Sequence, residues 1–282
     1  MPKLTGKEYI SEFAKDLKNP EVEMKVIALG MGMQSTALYM MSSLGDFERA
    51  DVAIFSDPMA EHQKTYELLE WLLEWQKKNN GIPVEVVSTN LYQDILNGVN
   101  KNGYPFVQIP AFGKGKMIKR QCTYDYKIEP VEKKLRELYK LKKHKRMPMT
   151  EMWLGITIDE AQRFKLSRKP RIINRYPFLE LMMNRGDCRA YMEDNGFPIP
   201  IKSACVFCPF HSDAQWKDIK MNYPKEWKKC IEIDNAIRMT AFKGGMSEPV
   251  YLHQSLQPLD EVDLNENQVD MFDNECEGHC GI

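Results

Sequence analysis

The sequence has no uninterrupted apolar run near the roughly 20 residues that a membrane-spanning helix requires. Its first 19 residues carry charges throughout and lack the apolar core of a secretory signal peptide. It also contains no internal repeat and no low-complexity segment. These absences lead us to expect a cytoplasmic globular protein that has no membrane partner.

An excess of one charge is also missing, since the 282 residues have a formal net charge of −1. The charge is nevertheless unevenly distributed. The stretch that begins at Lys114 and ends at Arg146 carries 13 Lys or Arg and 4 Asp or Glu residues, whereas residues 259–282 carry 8 Asp or Glu and no Lys or Arg. These segments fit a binding site for a polyanion such as a nucleic acid, mutual neutralisation within the fold, or solvated helix faces beside an acidic tail.

The chain has seven cysteines, and in the reducing cytoplasm a framework of disulfides is not expected. Metal binding or catalysis is the better explanation. Cys205 and Cys208 form a Cys-x-x-Cys pair, which suits a cluster, half of a zinc site or a redox pair. Cys122 lies among several Lys and Arg residues, which we expect to favour its thiolate form. Cys188 and Cys230 fall within helical patterns and are expected to be buried apolar side chains.

A glycine turn near the start of the chain is a candidate phosphate site. Residues 27–36 read as a strand, a turn with Gly30 and Gly32, and a helix that begins with the hydroxyls of Ser35 and Thr36. Free N–H groups at a helix N-terminus bind anions, and glycines allow close approach of the backbone. The turn lacks the Gly-Lys-Ser/Thr ending of a Walker A loop and the third glycine of a dinucleotide fingerprint. A phosphate loop and a simple tight turn therefore both stay open.

Short apolar segments alternate with helical patterns in the first part of the chain, which predicts an α/β fold with a parallel sheet covered on both faces. Strands are expected at 24–29, 51–55, 84–87 and 152–158, and helices at 5–18, 35–43, 61–79, 91–99, 126–141, 180–195 and 214–239. Ligands of such sheets bind at the carboxyl ends of the strands. Asp57, which follows the second strand, is therefore a candidate for contact with a ribose or a metal.

These motifs together resemble the phosphoadenosine phosphosulfate reductase family, within the larger group of adenine-nucleotide α-hydrolase (PP-loop) proteins. The residues that carry the resemblance are Gly30-Met31-Gly32-Met33-Gln34-Ser35, Ser56-Asp57 with Lys64-Thr65-Tyr66, Cys122-Thr123 with Lys127 and Pro130, Gly155-Ile156 with Asp159-Glu160, Tyr176-Pro177-Phe178 with Asp187 and Tyr191, Cys205 with Cys208, and Glu275-Cys276-Glu277-Gly278. The resemblance covers residues 24 to 282 in order. It implies a Rossmann-like, doubly wound parallel sheet, followed by a helical C-terminal part and a C-terminal tail that docks.

The resemblance also assigns roles to individual residues. Nucleotide binding is implied for Gly30, Met31, Gly32, Met33, Gln34, Ser35, Thr36, Asp57, Gly155 and Arg163. Recognition of a sulfate or phosphate is implied for Lys119, Arg120, Lys127, Lys165 and Arg168. An iron–sulfur cluster of the 4Fe–4S type, with zinc as the alternative, is implied on Cys122, Cys205 and Cys208. The fourth ligand stays open between Cys276, Cys280 and none, and Cys276 or Cys280 is the implied nucleophile. The implied domains are a nucleotide-binding domain at 1–175, a helical cysteine-bearing part at 176–258 and the tail at 259–282.

Three departures from the family pattern bear on the reaction. Thr123 stands where cluster-bearing members have a second cysteine, Gln34 stands where ATP pyrophosphatases have Asp, and Thr157 and Ile158 replace paired arginines. We favour reduction of a sulfonucleotide such as adenylyl sulfate by a tail cysteine, with a thiol protein as reductant. One alternative is ATP-dependent transfer of sulfur to a nucleic acid that binds the basic stretch. The other is a zinc-stabilised binding module without turnover.

Overall fold

The computed structural model describes residues 22–100 and 102–264. The expected helix at 5–18 and the tail cysteines Cys276 and Cys280 lie outside the described residues. Within the described ranges, no helix is both long enough and apolar enough to cross a membrane.

Five parallel strands form the central sheet and confirm the predicted α/β class. The strands are β1 (Met24–Ala28), β2 (Val52–Asp57), β3 (Val84–Ser88), β6 (Thr150–Trp153) and β7 (Ile172–Arg175), and a separate small hairpin contains β4 (Phe112–Gly113) and β5 (Lys116–Met117). The order across the sheet is β3-β2-β1-β6-β7, so β1 lies between β2 and β6. The order of the strands reverses between β1 and β6, and the carboxyl end of such a switch point is where open α/β sheets bind ligands.

Helices cover the sheet and continue into the second half of the chain. They are α1 (Met33–Leu44), α2 (Gln63–Asn79), α3 (Leu91–Asn97), a π-helical turn (Tyr124–Ile128) that runs into α4 (Glu129–Leu138), a 3₁₀ segment (Ile158–Arg163), α5 (Pro177–Glu180), α6 (Arg185–Asp194), α7 (Asp213–Asn222) and α8 (Pro224–Lys243). Side-chain caps define some of these starts. Asn184 and Ser212 each form a capping box at the start of their helix.

Several boundaries differ from the prediction for local reasons. The expected helix at 214–239 is two helices, because Pro224 lacks the N–H that an uninterrupted helix needs and instead begins α8. The expected strand at 152–158 is shifted and ends at Trp153. Strand β7 was not predicted, since its two isoleucines are followed by Asn174 and Arg175 and give no apolar run.

The interior consists of a sheet core and a second core that is built from distant stretches. On one face of the sheet α1, α2 and α6 pack together, and on the other face α4 does so. The second core joins side chains from 91–126 with side chains from 206–264. The cysteine-bearing part therefore draws on residues from both sides of position 175, and the predicted division into three domains stays a prediction.

Arg175 on β7 is the buried centre of an ionic network inside the sheet layer. Its guanidinium lies 2.6 Å from a carboxylate oxygen of Glu48, 3.1 Å from Glu151 and 2.8 Å from Glu180. It also lies 5.1 Å from the centre of the Trp153 ring. Removing the cation would take the neutralising charge away from the buried Glu151 and Glu180 carboxylates, which is the costly way to break such a network.

We expect Arg175→Met to lower the free energy of unfolding by about 3–5 kcal/mol in a urea titration. The control is Arg189→Met, because Arg189 pairs with Glu193 on an exposed helix face and such pairs contribute less than about 1 kcal/mol. Equal losses of stability in the two variants would contradict a stabilising role for the buried network.

Candidate active site

The glycine turn lies at the switch point of the sheet, between β1 and α1. Gly32 is the N-cap of α1, with an extended backbone (φ −92°, ψ 176°) and no side-chain cap on the helix. The left-handed residue of the turn is Met31 (φ 58°), although we expected a glycine to be needed for it. Non-glycine residues in this conformation are strained and concentrate at functional sites. The uncapped helix N-terminus directs its backbone N–H groups to the carboxyl edge of the sheet.

Some hydroxyl groups around this turn have hydrogen-bond partners and others have none in the ranges that the structure describes. Ser35 closes the turn, because its Oγ accepts from the Gly30 N–H at 3.1 Å and lies 3.3 Å from the Gly32 carbonyl oxygen. The hydroxyls of Thr36 and Thr157 are buried and have no hydrogen-bond partner among the described residues. Buried polar atoms normally have partners, so unpartnered ones mark a place where a ligand or water completes the bonding.

Gly155 brings the loop after β6 against the start of α1. A Cβ atom at this position would lie 3.0 Å from the Ser35 backbone nitrogen and 3.1 Å from the Gln34 carbonyl carbon. Such contacts with backbone atoms are too tight for a side chain to fit without movement. The close approach of two chain segments at the switch point therefore requires a glycine at position 155, a residue that the family resemblance had singled out.

The charged residues that follow Gly155 do not all face the turn. Arg163 forms an ion pair with buried Glu160 at 2.9 Å, and the Gln34 side chain donates to the same carboxylate at 3.3 Å. Glu160 thus binds Gln34 and Arg163, two of the predicted nucleotide-binding residues. The sequence motif around Gly155 does not predict this role for Glu160. Lys165 and Arg168 are exposed.

Asp57 at the end of β2 is engaged by its own loop. Its carboxylate accepts from the Met59 N–H at 2.7 Å and from the Tyr66 hydroxyl at 2.9 Å. Burial raises the pKa of Asp57 above its usual range, and these hydrogen bonds oppose the rise. A contact with a ribose or a metal, as expected from the sequence, stays a prediction.

Three cysteines that are distant in the sequence line one cavity. Cys122 precedes the π-helical turn, and Cys205 and Cys208 lie in the loop before α7; together they line a small cavity with a volume of about 30 Å³. A backbone hydrogen bond of 2.7 Å from Val206 to Ala60 joins the cysteine loop to the loop after β2. The cavity therefore lies at the same edge of the sheet as the glycine turn.

Two of the predicted cations also belong to this cavity. Arg120 lines it and lies 5.7 Å from the centre of the Phe210 ring. Lys127 lines it as well and donates to the fully buried Glu61 carboxylate at 3.0 Å. Lys119 is exposed and does not line it. Glu61, which we had not assigned to this site, positions Lys127 against the thiols.

The pKa of the Cys122 thiol is raised and not lowered, contrary to our expectation, because burial outweighs the nearby cations. Burial raises the pKa of Cys122 in spite of Arg120 and Lys127, and it raises the pKa of Cys208 to about 11. For Cys205, burial and the Glu61 carboxylate together raise the pKa well above its usual range. A metal that binds here must displace the thiol protons, because thiolates are the ligands.

Three thiols around one cavity are a donor set that suits either an iron–sulfur cluster or zinc. Within the ranges 22–100 and 102–264, no three or more Cys, His, Asp or Glu side chains are arranged to hold one metal ion. Thr123 lines the cavity too, and within the described part of the chain its buried hydroxyl has no hydrogen-bond partner.

The remaining sequence predictions for cysteines and charges have mixed outcomes. Cys188 and Cys230 are fully buried, one in each core, as expected for apolar packing. The basic stretch is partly neutralised within the fold, by ion pairs of Lys127, Lys133 and Lys134 with Glu61, Glu129 and Glu85. The predicted nucleophiles Cys276 and Cys280 lie outside the described residues.

Comparisons with known proteins leave the family open. No family model and no curated protein matches the sequence. Among solved structures, the chain is similar to the U34-tRNA thiolase NcsA from Methanococcus maripaludis with its 4Fe–4S cluster, at a TM-score of 0.41 and 11% identity, over 82% of this chain and 78% of that one. The resemblance to the phosphoadenosine phosphosulfate reductase family stays a prediction.

Proposed function

We propose that the chain is an enzyme that uses an adenine nucleotide to transfer sulfur to a nucleic acid. The observation that supports this most is the meeting of Cys122, Cys205 and Cys208 in one cavity, at the sheet edge where the glycine turn lies. Sulfur chemistry and nucleotide chemistry would then take place side by side. We therefore favour ATP-dependent sulfur transfer, the first alternative from the sequence, over reduction of a sulfonucleotide.

The glycine turn and the start of α1 would hold the nucleotide phosphates. The uncapped N–H groups of α1 bind negative charge. The unpartnered hydroxyls belong to Thr36 in the first turn of α1 and to Thr157 in the loop after β6, the two segments that meet at Gly155. The acceptor would attack the α-phosphorus of ATP through a carbonyl oxygen, and pyrophosphate would leave. The helix N-terminus stabilises the charge that develops on the phosphorus oxygens.

Cys122, Cys205 and Cys208 would hold the cluster, with Arg120 and Lys127 offsetting part of its negative charge. Among the described residues, three thiols and not a fourth at Thr123 would hold the cluster, and a cluster held in this way would supply a binding site for sulfide. Sulfide sulfur would then replace the adenylated oxygen of the acceptor and release AMP. Sulfur enters and leaves as sulfide, so this exchange needs no external oxidant or reductant.

The reductase reading requires a tail cysteine as nucleophile, and both candidates lie outside the described residues. The two functions differ in their substrates and products. We therefore propose one assay on the anaerobically purified chain, with ATP, sodium sulfide and an RNA or DNA oligonucleotide in one arm, and adenylyl sulfate with a dithiol in the other.

The sulfurtransferase account expects pyrophosphate release and labelled sulfur in the oligonucleotide in the first arm. It expects no sulfite in the second arm. Sulfite from adenylyl sulfate, without pyrophosphate release from ATP, would overturn the proposal in favour of the reductase. Inactivity in both arms by a colourless, zinc-containing protein would support the binding module.

A further inference from the structure

A basic cavity lies at the opposite edge of the sheet from the glycine turn. The residues just before β6 and just before β7 line it together with one face of α4, and its volume is about 570 Å³. Because all strands of the sheet are parallel, these segments mark the amino-terminal edge. Strand β6 spans four residues, so about 13 Å separates the cavity from the carboxyl edge of the sheet, where the glycine turn lies.

The charge of this cavity is strongly one-sided. Among the described residues, its charged lining consists of Arg136, Lys145, Arg146, Lys169, Arg171 and Glu132. Glu132 lies 2.8 Å from Lys169 and neutralises that lysine. Four cations then remain without a carboxylate in the lining, and three of them are arginines. Arginine forks match phosphate oxygens in pairs of parallel hydrogen bonds, so the lining favours phosphate over a single carboxylate.

Hydrogen bonds from α4 hold the loop that carries Lys145 and Arg146 in place. The Arg136 guanidinium donates to the carbonyl oxygens of Lys142 at 3.2 Å and of Lys145 at 3.0 Å. Around the cavity, His144 and Arg171 adopt left-handed backbones, with φ of 66° and 72°. Strained non-glycine backbone persists only where its surroundings hold it, and it concentrates at binding sites.

The positive charge continues beyond the cavity. Lys140, Lys142 and Lys143 are exposed in the same loop, so the cations form a row rather than a single point. A row of cations fits a ligand with repeated phosphates. One turn of a duplex is about 34 Å long, which exceeds the distance between the two edges of the sheet. A nucleic acid held at the amino-terminal edge is thus long enough to reach the carboxyl edge, where the glycine turn and the cysteine cavity lie.

We propose that this cavity and its loop bind the phosphate backbone of the nucleic-acid acceptor. The inference deepens the proposed function and rests on it for the identity of the acceptor. It places the contact on Lys145, Arg146 and Arg171 rather than along the whole basic stretch, in which Lys127, Lys133 and Lys134 already pair with carboxylates. These contacts read no sequence and hold the acceptor in position.

The test is fluorescence anisotropy with a labelled RNA hairpin and a DNA duplex of the same sequence, at two salt concentrations. We compare the wild-type chain with Lys145→Glu/Arg146→Glu and with Arg171→Asn, since asparagine tolerates the left-handed backbone. The control is Lys225→Glu/Lys228→Glu, which changes the net charge equally at exposed positions of α8.

We expect the double variant to raise the Kd at least about tenfold and to reduce the salt dependence by about two phosphate contacts. Arg171→Asn should act in the same direction, and the control should bind like the wild type. Equal weakening in the control, or unchanged binding in both cavity variants, would overturn the inference. Binding of pyrophosphate or inorganic phosphate without binding of either nucleic acid would overturn it in favour of a small phosphorylated ligand.

Two further readouts separate this inference from the proposed function. The iron content and the affinity for ATP should be unchanged in the cavity variants, because both belong to the other edge of the sheet. If nucleic-acid binding depends on the cavity but the chain holds no cluster, the proposed function fails and the cavity assignment stands. If the cluster is present and the cavity variants bind nucleic acid like the wild type, the cavity assignment fails and the proposed function stands.

Discussion

Cys205→Ser is expected to lower sulfur transfer to the nucleic acid by at least about 100-fold while pyrophosphate release from ATP continues. Cys205 is half-buried and lines the cavity with the other two thiols, and a serine hydroxyl is a poor ligand for iron. The nucleotide phosphates would be held elsewhere, by the start of α1 and the loop at Gly155. The variant therefore separates delivery of sulfur from activation of the acceptor. Labelled sulfur and pyrophosphate are measured in the same reaction.

The matched control is Cys188→Ala, which removes a buried thiol of the sheet core away from the cavity. It should retain sulfur transfer, with only a loss of stability that is typical of a small packing change. Cys122→Ser and Cys208→Ser should behave like Cys205→Ser. If the Cys188 and Cys205 variants lose sulfur transfer equally, or if neither loses it, the cavity thiols do not hold the sulfur-bearing group.

Gly155→Ala is expected to weaken ATP binding by about 10- to 100-fold. The added methyl would contact the backbone of Gln34 and Ser35 at 3.0–3.1 Å, so the loop or the start of α1 must move. Overpacking of this kind costs about 1–3 kcal/mol, which corresponds to the expected range of affinity. Isothermal titration with ATP measures the change, and thermal unfolding shows whether the chain remains folded.

A second glycine provides the comparison for this substitution. Gly244 at the end of α8 has φ of −78°, and a Cβ atom there would meet other atoms at no less than 3.4 Å, which is ordinary contact. Gly244→Ala should bind ATP like the wild type. Unchanged ATP affinity in Gly155→Ala would show that the close approach at the switch point does not shape a nucleotide site.

The elements that were predictable are those with a strong local signal. Buried strands such as Val52–Asp57 show as short apolar runs between turn residues, and the start of α1 shows through its glycines. Strand β7 escaped prediction because its position against β6 comes from tertiary pairing rather than from its own apolar pattern. The break at Pro224 had a local signal, since proline begins helices readily but cannot continue them.

The candidate site was predictable in its parts and not in its electrostatics. The Cys-x-x-Cys spacing singled out Cys205 and Cys208, the family resemblance added Cys122, and the structure brings the three to one cavity. Their burial, which raises the pKa of each thiol, depends on a second core that joins distant stretches and leaves no mark in the local sequence. The pairing of Arg163 with Glu160 is likewise a matter of side-chain direction in a 3₁₀ segment.

The measurement that tests the central claim most directly is the iron and acid-labile sulfide content of the anaerobically purified chain, together with its visible spectrum. The account predicts about four iron atoms per chain in the wild type and in Cys188→Ala, with a broad thiolate-to-iron absorption. It predicts the loss of iron and colour in Cys205→Ser. A colourless wild-type chain with stoichiometric zinc, or iron that persists in Cys205→Ser, would contradict it.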